Sequence, residues 1–258
     1  MSPNSTTEES SEESINLALQ PLGANLLDQA AGLGEYEELC WQYLHKLPQS
    51  FKLGRLKTRI EDEIGAFGGR RYEFDSRLFL GEDLENPVGQ LMVTLYRKPG
   101  GATDDIFLEL EQCQIWYPDL RGKGLGRFIF ELVKQLGVAL GVKAVTAIAI
   151  YDGRYAWPKL GFRFGDYLPD EAAAQKYRQR FLKFCQRNGL NLPDVTQWDA
   201  PDFAHFLTEY QLPATVGHRM DQERQMVEFG RAFLLSRRPF FLSFPLETRV
   251  DTDLLVTA

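Results

Sequence analysis

The sequence lacks any apolar run that approaches the roughly eighteen residues of a membrane-spanning helix. Its first residues also lack the basic stretch followed by an apolar one that marks a signal peptide. Cysteine is scarce, because only Cys40, Cys113 and Cys185 occur, and they are scattered, odd in number and without the pairing of metal ligands. These absences predict no membrane span, no metal site and a reducing compartment, and we therefore expect a cytoplasmic protein.

Basic charge is also in short supply. The chain has 29 lysines and arginines against 36 acidic residues, a formal net charge of -7 over 258 residues. This balance argues against a chain built as a whole to coat nucleic acid or an anionic membrane. With 44% hydrophobic and 25% charged residues, the composition is that of an ordinary globular protein, long enough for one domain with an appendage.

The periodicity of apolar residues changes along the first half of the chain. Helical spacing predicts one helix over residues 34–47 and a second from Leu53 to the glycines at 68 and 69. A spacing of two then predicts an antiparallel hairpin of strands 72–80 and 88–96. The first half therefore reads as two helices followed by a hairpin.

The second half alternates at first and then becomes mostly helical. Strands are predicted at 106–116 and 142–150, and the helix between them ends at Gly141. Beyond these, the pattern predicts a helical turn in 151–162, a strand at 163–168, helices at 170–188, 201–210 and 220–236, and a returning strand at 240–246.

The element order predicts an α/β fold, with a mixed, mainly antiparallel central sheet flanked by helices and a helical C-terminal insertion. The corresponding divisions are a disordered acidic tail (1–14), a main domain (15–168), the helical insertion (169–236), and a returning strand with a C-terminal tail (237–258).

A glycine-rich loop lies between the strand that ends near Pro118 and the helix that follows. The nine residues of 119–127 contain three glycines and three basic residues. Glycines at 122, 124 and 126 let N–H groups point together into a concave nest, and the helix adds the positive end of its dipole. The pattern predicts a phosphate site with Lys123 or Arg127 at its edge. A tight turn that binds nothing is the alternative, and it explains three alternate glycines less readily.

Three motifs in this order resemble the GNAT superfamily of N-acetyltransferases. The residues 121–126 match its Arg/Gln-x-x-Gly-x-Gly/Ala loop, 116–118 match its hydrophobic residue, any residue and proline, and 159–162 match its closing Lys-Leu-Gly-Phe. The resemblance implies an acyl-CoA N-acyltransferase-like domain that uses acetyl-CoA as a co-substrate. By that resemblance the residues that bind acetyl-CoA are Trp116, Arg121, Gly122, Lys123, Gly124, Leu125, Gly126 and Arg127.

Transfer of an acetyl group to an amine also needs a base, and two carboxylates qualify. Glu109 and Glu111 share one face of the predicted strand, and Glu111 is nearer the loop. A solvated or salt-bridged pair is the alternative. The resemblance further implies an oxyanion donor among the N–H groups of 115–117, where a simple end of strand pairing is equally consistent.

The general acid is where the chain departs from the family. The position four residues before the closing glycine, usually tyrosine, holds Trp157, and the place of an upstream asparagine holds Ile150. Tyr155 and Tyr151 are the nearby candidates. A helical turn points Tyr155 about 200° away from position 157, so it is not a simple substitute, and water or another tyrosine is the alternative source of the proton. Pro158 predicts that the helix begins or breaks there.

A basic stripe on the predicted helix 170–188 leaves a further alternative open. Its spacing aligns Lys176, Arg180, Lys183 and Arg187, which suits the 3′-phosphate of CoA, an acidic partner or RNA, but which we interpret as a solvated face.

The sequence as a whole predicts an acetyl-CoA-dependent N-acyltransferase that acts on an amine of an unknown small molecule or protein. A non-catalytic CoA-binding or regulatory protein is the alternative. The C-terminal helices are then an interaction surface, and a homodimer through them is a third interpretation.

Overall fold

A computed structural model describes residues 21–29, 32–48, 51–61, 71–81, 83–189, 193–206, 209–211 and 226–246. The chain forms two compact units. The first comprises Met1–Leu108, Gln112–Lys143 and Glu247–Ala258, and the second comprises Glu109–Glu111 and Ala144–Leu246. The tail predicted at 1–14 and the end of the chain after residue 246 lie outside the described residues.

The first unit contains three helices and the strands of the N-terminal half. These elements are α1 (Leu22–Asp28), α2 (Gly32–Leu44), β1 (Phe51–Glu61), β2 (Arg71–Leu80), β3 (Gly89–Arg97), β4 (Ile106–Ile115, of which Glu109–Glu111 belong to the second unit) and α3 (Leu125–Leu140).

The second unit contains shorter elements. They are β5 (Ala144–Ala149), α4 (Gly153–Lys159), β6 (Arg163–Phe164), α5 (Glu171–Arg187), α6 (Ala200–Ala204), β7 (Glu209–Gln211), β8 (Met226–Glu228), α7 (Phe229–Leu235) and β9 (Phe240–Pro245). Among the helices in the described ranges, none is long and apolar enough to cross a membrane.

Seven strands form one sheet in the order β1-β2-β3-β4-β5-β9-β6, and β7 pairs with β8 in a separate ribbon. The pairs β1–β2, β2–β3, β5–β9 and β6–β9 are antiparallel. The predicted α/β fold with a mainly antiparallel sheet and flanking helices is confirmed. The returning strand β9 does join this sheet, but it lies between β5 and β6, so the two-residue β6 forms the edge.

The second predicted helix is wrong as far as residue 61, because Phe51–Glu61 is strand β1, and the rest of that prediction, up to the glycines at 68 and 69, lies outside the described residues. The register of β1 places Leu53 opposite Leu78 and Ile60 opposite Tyr72, with a bulge between Arg55 and Lys57. A bulge adds one residue to an alternating pattern. The apolar residues at 53, 56 and 60 are therefore three and four positions apart, which imitates the spacing of a helix.

The two later helices of the insertion are also wrong in part. The 201–210 pattern forms a helix only as far as Ala204, and Glu209–Gln211 is a strand. The 220–236 pattern contains strand Met226–Glu228 before its helix begins at Phe229. Strands this short show no alternation long enough to compete with a helical pattern.

Buried tyrosines connect the helices of the first unit to its strands. The Tyr36 hydroxyl of α2 donates to the Val93 carbonyl at 3.0 Å, and the Tyr72 hydroxyl lies 2.8 Å from the Gln29 carbonyl. The helix α3 buries one apolar face that includes Leu132 and Leu136, whereas Phe128 in its first turn is exposed.

A salt bridge in the first unit makes the free energy of unfolding depend on pH in the acidic range. Lys143 Nζ lies 2.6 Å from Asp105 Oδ1, and this hydrogen bond lowers the pKa of Asp105. A carboxyl with a lowered pKa stabilises the folded state above its unfolded pKa of about 3.9, and this stabilisation is lost as the pH falls through the folded value. We expect Asp105→Asn to cost about 1 kcal/mol at pH 7.

Urea unfolding of both proteins at pH 7, 5 and 3 measures this effect. The difference in the free energy of unfolding is expected to shrink towards pH 3, and a difference that stays constant over this range contradicts the assignment.

Candidate functional site

The glycine loop is fastened to the end of β4 by Arg121. The Arg121 Nε donates to the Ile115 carbonyl at 2.8 Å, and its backbone N–H donates to the Pro118 carbonyl at 2.9 Å. A short 3-10 turn, Pro118–Leu120, lies between the end of β4 and the glycine loop. The guanidinium of Arg121 therefore ties the start of the loop to the end of β4.

The three loop glycines leave the surface in front of them open. Gly122 and Gly124 have φ of 74° and 84°, the left-handed region that disfavours side chains. Gly126 lies in the first turn of α3 and needs no positive φ. A Cβ at any of the three would meet no atom within 4 Å. The protein itself therefore gives no steric reason for glycine at 126.

The N–H groups along this loop are available to a ligand. Within the described ranges, none of the six N–H groups of residues 122–127 donates a hydrogen bond, whereas Phe128 donates to the Gly124 carbonyl. The first N–H groups of a helix have no acceptor inside it and carry the positive end of its dipole. Lys123 and Arg127 are exposed beside them. The segment therefore has the composition and hydrogen-bonding state of an anion-binding nest.

Trp116 and Tyr117, which precede the loop, differ in whether their backbone N–H groups donate a hydrogen bond. The Trp116 N–H donates to the Val88 carbonyl at 2.9 Å, and the Arg77 guanidinium carbon lies 5.2 Å from the centre of the Trp116 ring. Tyr117 donates to no acceptor in the described part of the chain. Of these two residues, Tyr117 is accordingly the one that can offer an N–H group to a ligand.

The carboxylate candidates Glu109 and Glu111 are half-buried on β4, in the part of that strand that belongs to the second unit. Burial, then the charges of Asp166 and Glu109, raise the pKa of Tyr167. Glu109 therefore lies within electrostatic range of Tyr167. The sequence prediction missed Tyr167 because it placed residues 163–168 in one strand. The signal in the sequence that β6 ends early was the glycine at 165, which has a φ of 147° in the structure.

The acid candidate Tyr155 lies on α4 beside two cations. Lys159 Nζ donates to its hydroxyl at 2.9 Å, and the Arg231 guanidinium carbon lies 5.1 Å from its ring centre. A hydroxyl that accepts a hydrogen bond still carries its own proton to donate. Trp157 of the same helix is buried, 5.8 Å from the ring of Phe162. Pro158 does not begin this helix but lies in its last turn, one residue before its end.

The basic stripe of α5 is exposed along its length, at Lys176, Arg180, Lys183 and Arg187. On the same helix Tyr177 and Phe181 are buried, so the helix separates a charged face from an aromatic one.

The described chain is thus an α/β protein with a mainly antiparallel sheet and, at the start of helix α3, a glycine loop whose N–H groups have no acceptor among the described residues. No protein-family model matches it. No curated protein sequence matches it either. Among solved structures it is similar to Arabidopsis thaliana Naa50 in complex with the bisubstrate analogue CoA-Ac-MVNAL, with a TM-score of 0.32 and 17% identity over 48% of this chain and 93% of that chain. An overlap with so low a TM-score carries no conclusion about activity.

Proposed function

We propose that this chain is an acyl-CoA-dependent N-acyltransferase that moves an acetyl group from acetyl-CoA to an amine. The observation that carries the proposal is the nest at 122–127, with six N–H groups that donate to nothing in the described residues and open space in front of its glycines. A pyrophosphate suits this nest because it presents several anionic oxygens to N–H groups and to Lys123 and Arg127.

The loop residues have separate roles in this proposal. The N–H groups of 122–127 bind the pyrophosphate of CoA, and Lys123 and Arg127 add positive charge at its edge. Arg121 is a positioning residue, since its guanidinium is bound to the end of β4. Leu125, which is buried, anchors the first turn of α3, and Trp116 flanks the loop.

Acetyl-CoA would supply an acetyl thioester whose C–S bond breaks as the amine nitrogen forms a C–N bond, giving an amide and the thiol of CoA. The amine must reach this step without its extra proton, and Glu111, or Glu109 in its place, accepts that proton directly or through water. The nitrogen loses a second proton as the amide forms, and the departing sulfur gains one. Tyr155 is the proposed donor to the sulfur, and it recovers a proton from the nitrogen through water. The N–H of Tyr117 is the donor proposed for the oxygen of the acetyl carbonyl.

One observation favours a second function, a CoA-binding protein without turnover. Trp157 is buried where the resembling family has its acidic tyrosine, and an indole N–H is no useful acid. A chain of this kind would bind CoA at the same nest and consume no thioester.

The experiment that tests the proposed site is a thermal melt with acetyl-CoA, with CoA and dephospho-CoA alongside. A ligand at about a hundred times its Kd stabilises the folded state by about 2.7 kcal/mol, which raises the Tm of a chain of this size by roughly 5–10 °C. If the Tm does not shift at millimolar ligand, the assignment of the loop as a CoA site is contradicted.

Turnover is then measured as release of CoA thiol with a panel of amines. Thiol release that depends on an amine supports the transferase, and binding without release supports the non-catalytic alternative.

A further inference from the structure

Three arginines of the second unit lie close together. Arg180 and Arg187 are on α5, and Arg237 follows α7. The two helix positions are two turns or about 10 Å apart along the axis, and Phe184 lies on the turn between them. The guanidinium carbon of Arg237 is 5.9 Å from the centre of the Phe184 ring. Arg237 therefore lies beside the stretch of α5 between the other two, and we name these three residues the arginine cluster.

Contacts within the unit fix the position of Arg237. The Arg154 guanidinium donates to its backbone carbonyl, and its own Nε and Nη2 donate to Ser236 Oγ at 2.9 and 2.6 Å. Its guanidinium carbon lies 4.9 Å from the centre of the buried Phe233 ring. Of the five N–H donors of a guanidinium, Ser236 accepts two, and the others have no acceptor among the described residues. The side chain is thus held in place and can still donate hydrogen bonds to a ligand.

The positive charges of the cluster are not balanced within the described part of the unit. Burial lowers the pKa of Arg237, the charges of Arg180 and Arg187 lower it further, and Tyr177 acts in the opposite direction. No carboxylate of a described residue forms an ion pair with any of the three arginines. The guanidinium groups are therefore near enough to repel one another, and a bound anion would relieve this repulsion and stabilise the folded state.

The acidic side chains around α5 act on another side of the helix. Glu171, the one carboxylate of α5, lies 3.1 Å from Arg178 Nη2. The hydrogen bond with Glu171, and after it the charges of Asp199 and Asp202, raise the pKa of Arg178. Two positions along a helix correspond to a rotation of about 200°, so Arg178 and Arg180 point in nearly opposite directions. The described carboxylates thus balance Arg178 and leave the arginine cluster without a counter-charge.

A phosphate monoester suits this cluster. The guanidinium fork matches the oxygens of a phosphate, and hydrogen bonds between two charged groups are strong. A monoester carries a charge of about −1.5 to −2 at neutral pH, which can balance more than one arginine, whereas a carboxylate carries a single charge. Each phosphodiester of RNA is also singly charged, and single-stranded RNA stacks its bases on exposed aromatic rings. The rings of Tyr177 and Phe233 beside the cluster are buried.

We propose that the arginine cluster binds a phosphate monoester, carried by a small molecule or by a phosphorylated serine or threonine. Arg237 provides the guanidinium whose position is fixed, and the exposed Arg180 and Arg187 add charge from α5. The sequence indicated only a solvated face for the basic stripe, because Arg237 lies about fifty positions beyond Arg187. The inference does not rest on the proposed acyl transfer.

The experiment measures binding of a fluorescein-labelled peptide, Gly-Ala-phosphoserine-Ala-Gly, to the full chain by fluorescence anisotropy. The unphosphorylated peptide and a short oligouridylate are measured in the same way, and methyl phosphate, dimethyl phosphate, CoA and dephospho-CoA are used as competitors. We expect the phosphopeptide to bind roughly tenfold or more tightly than its unphosphorylated form. Methyl phosphate is expected to displace it at a lower concentration than dimethyl phosphate, which is a singly charged diester.

Arg180→Gln and Arg237→Gln each remove one guanidinium from the cluster. Each is expected to raise the Kd of the phosphopeptide roughly tenfold or more, as follows from the loss of a hydrogen bond to a charged group. Arg237→Gln also loses the contacts with Ser236 and Phe233, which can lower its stability. Arg180 is exposed, so Arg180→Gln tests the cluster in a protein that keeps its fold.

Arg163→Gln is the matched control, because it removes the same charge from the same unit. Phe164, the next residue of β6, stacks on Tyr177 of α5 with 4.0 Å between the ring centres. Successive side chains of a strand point to opposite faces, so the exposed Arg163 points away from α5. This variant is expected to leave the Kd of the phosphopeptide unchanged.

The outcomes also identify the source of the monoester. Displacement by methyl phosphate near the Kd of the peptide indicates a small molecule, and displacement by CoA but not by dephospho-CoA indicates the 3′-phosphate of CoA. Displacement by methyl phosphate only at far higher concentration indicates a phosphorylated side chain. Equal binding of the two peptides, equal effects of Arg180→Gln and Arg163→Gln, or tighter binding of the oligouridylate than of the phosphopeptide overturns the inference.

Discussion

Replacing Gly126 with glutamate is expected to stabilise the free protein and to abolish its response to acetyl-CoA. The first half of this result follows from α3. Glutamate is a better helix former than glycine, and a negative charge in the first turn interacts favourably with the helix dipole. Because a Cβ at 126 meets no atom within 4 Å, we expect a gain of about 1 kcal/mol and a Tm higher by roughly 2–4 °C.

The second half follows from the nest. A carboxylate on the open side of the loop occupies the space of the pyrophosphate and repels its charge, which costs several kcal/mol. We expect the affinity for acetyl-CoA to fall on the order of a hundredfold or more. Gly126 gives a sharper test than Gly124, whose φ of 84° makes any side chain strained even without a ligand.

Gly34 provides the matched control. It lies in the first turn of α2, and a Cβ there also meets no atom within 4 Å. Gly34→Glu should therefore stabilise the protein in the same direction, although by less because Glu37 and Glu38 lie three and four residues further along α2, and it should leave acetyl-CoA binding intact. If both variants bind acetyl-CoA as the wild type does, the nest is not the CoA site.

Glu111→Gln is expected to lower kcat about a hundredfold while the Kd of acetyl-CoA stays within twofold. A positioned base contributes on the order of a hundredfold to ten thousandfold to the rate, and glutamine cannot accept the proton. The change from carboxylate to amide keeps the shape of the side chain on β4. The measurement is the dependence of kcat/KM on pH together with a titration of acetyl-CoA.

Glu109→Gln distinguishes the two candidates, and Glu85→Gln is the control, since Glu85 is an exposed carboxylate in the segment between β2 and β3. The variant of the true base loses the acidic limb of the pH–rate profile. If Glu111→Gln and Glu109→Gln both keep that limb, neither carboxylate is the base.

The elements with an uninterrupted pattern could be predicted from the sequence. The hairpin of β2 and β3 alternates over nine or ten residues, and α3 keeps its apolar stripe from a left-handed Gly124 to a left-handed Gly141. The helix α1 was not predicted from the sequence, because it has only seven residues and contains Gly23. That glycine has a tertiary reason, since a Cβ there would lie 2.9 Å from Ile106 Cδ1.

The candidate site was predictable to a similar extent. The spacing of the glycines and the nearby basic residues identify the nest, because glycine is the residue type that lets neighbouring backbone N–H groups point together. The engagement of the Trp116 N–H by the Val88 carbonyl joins residues 28 positions apart, and no local pattern reports it. The same holds for Tyr167, whose neighbour Glu109 is distant in the sequence.

The position of β9 has a consequence for how the chain folds. Ala149 of β5 pairs with Phe240, about ninety residues later, and in the described part of the sheet β6 pairs with Ser243 and Leu242 of β9. Closing so long a loop is entropically costly and slows the formation of such pairs. During synthesis the edge of β5 that pairs with β9 therefore stays unpaired until Phe240–Pro245 has emerged. An unpaired strand edge is prone to aggregate, so a chain that stops before Phe240 is expected to be a substrate for chaperones rather than a smaller folded protein.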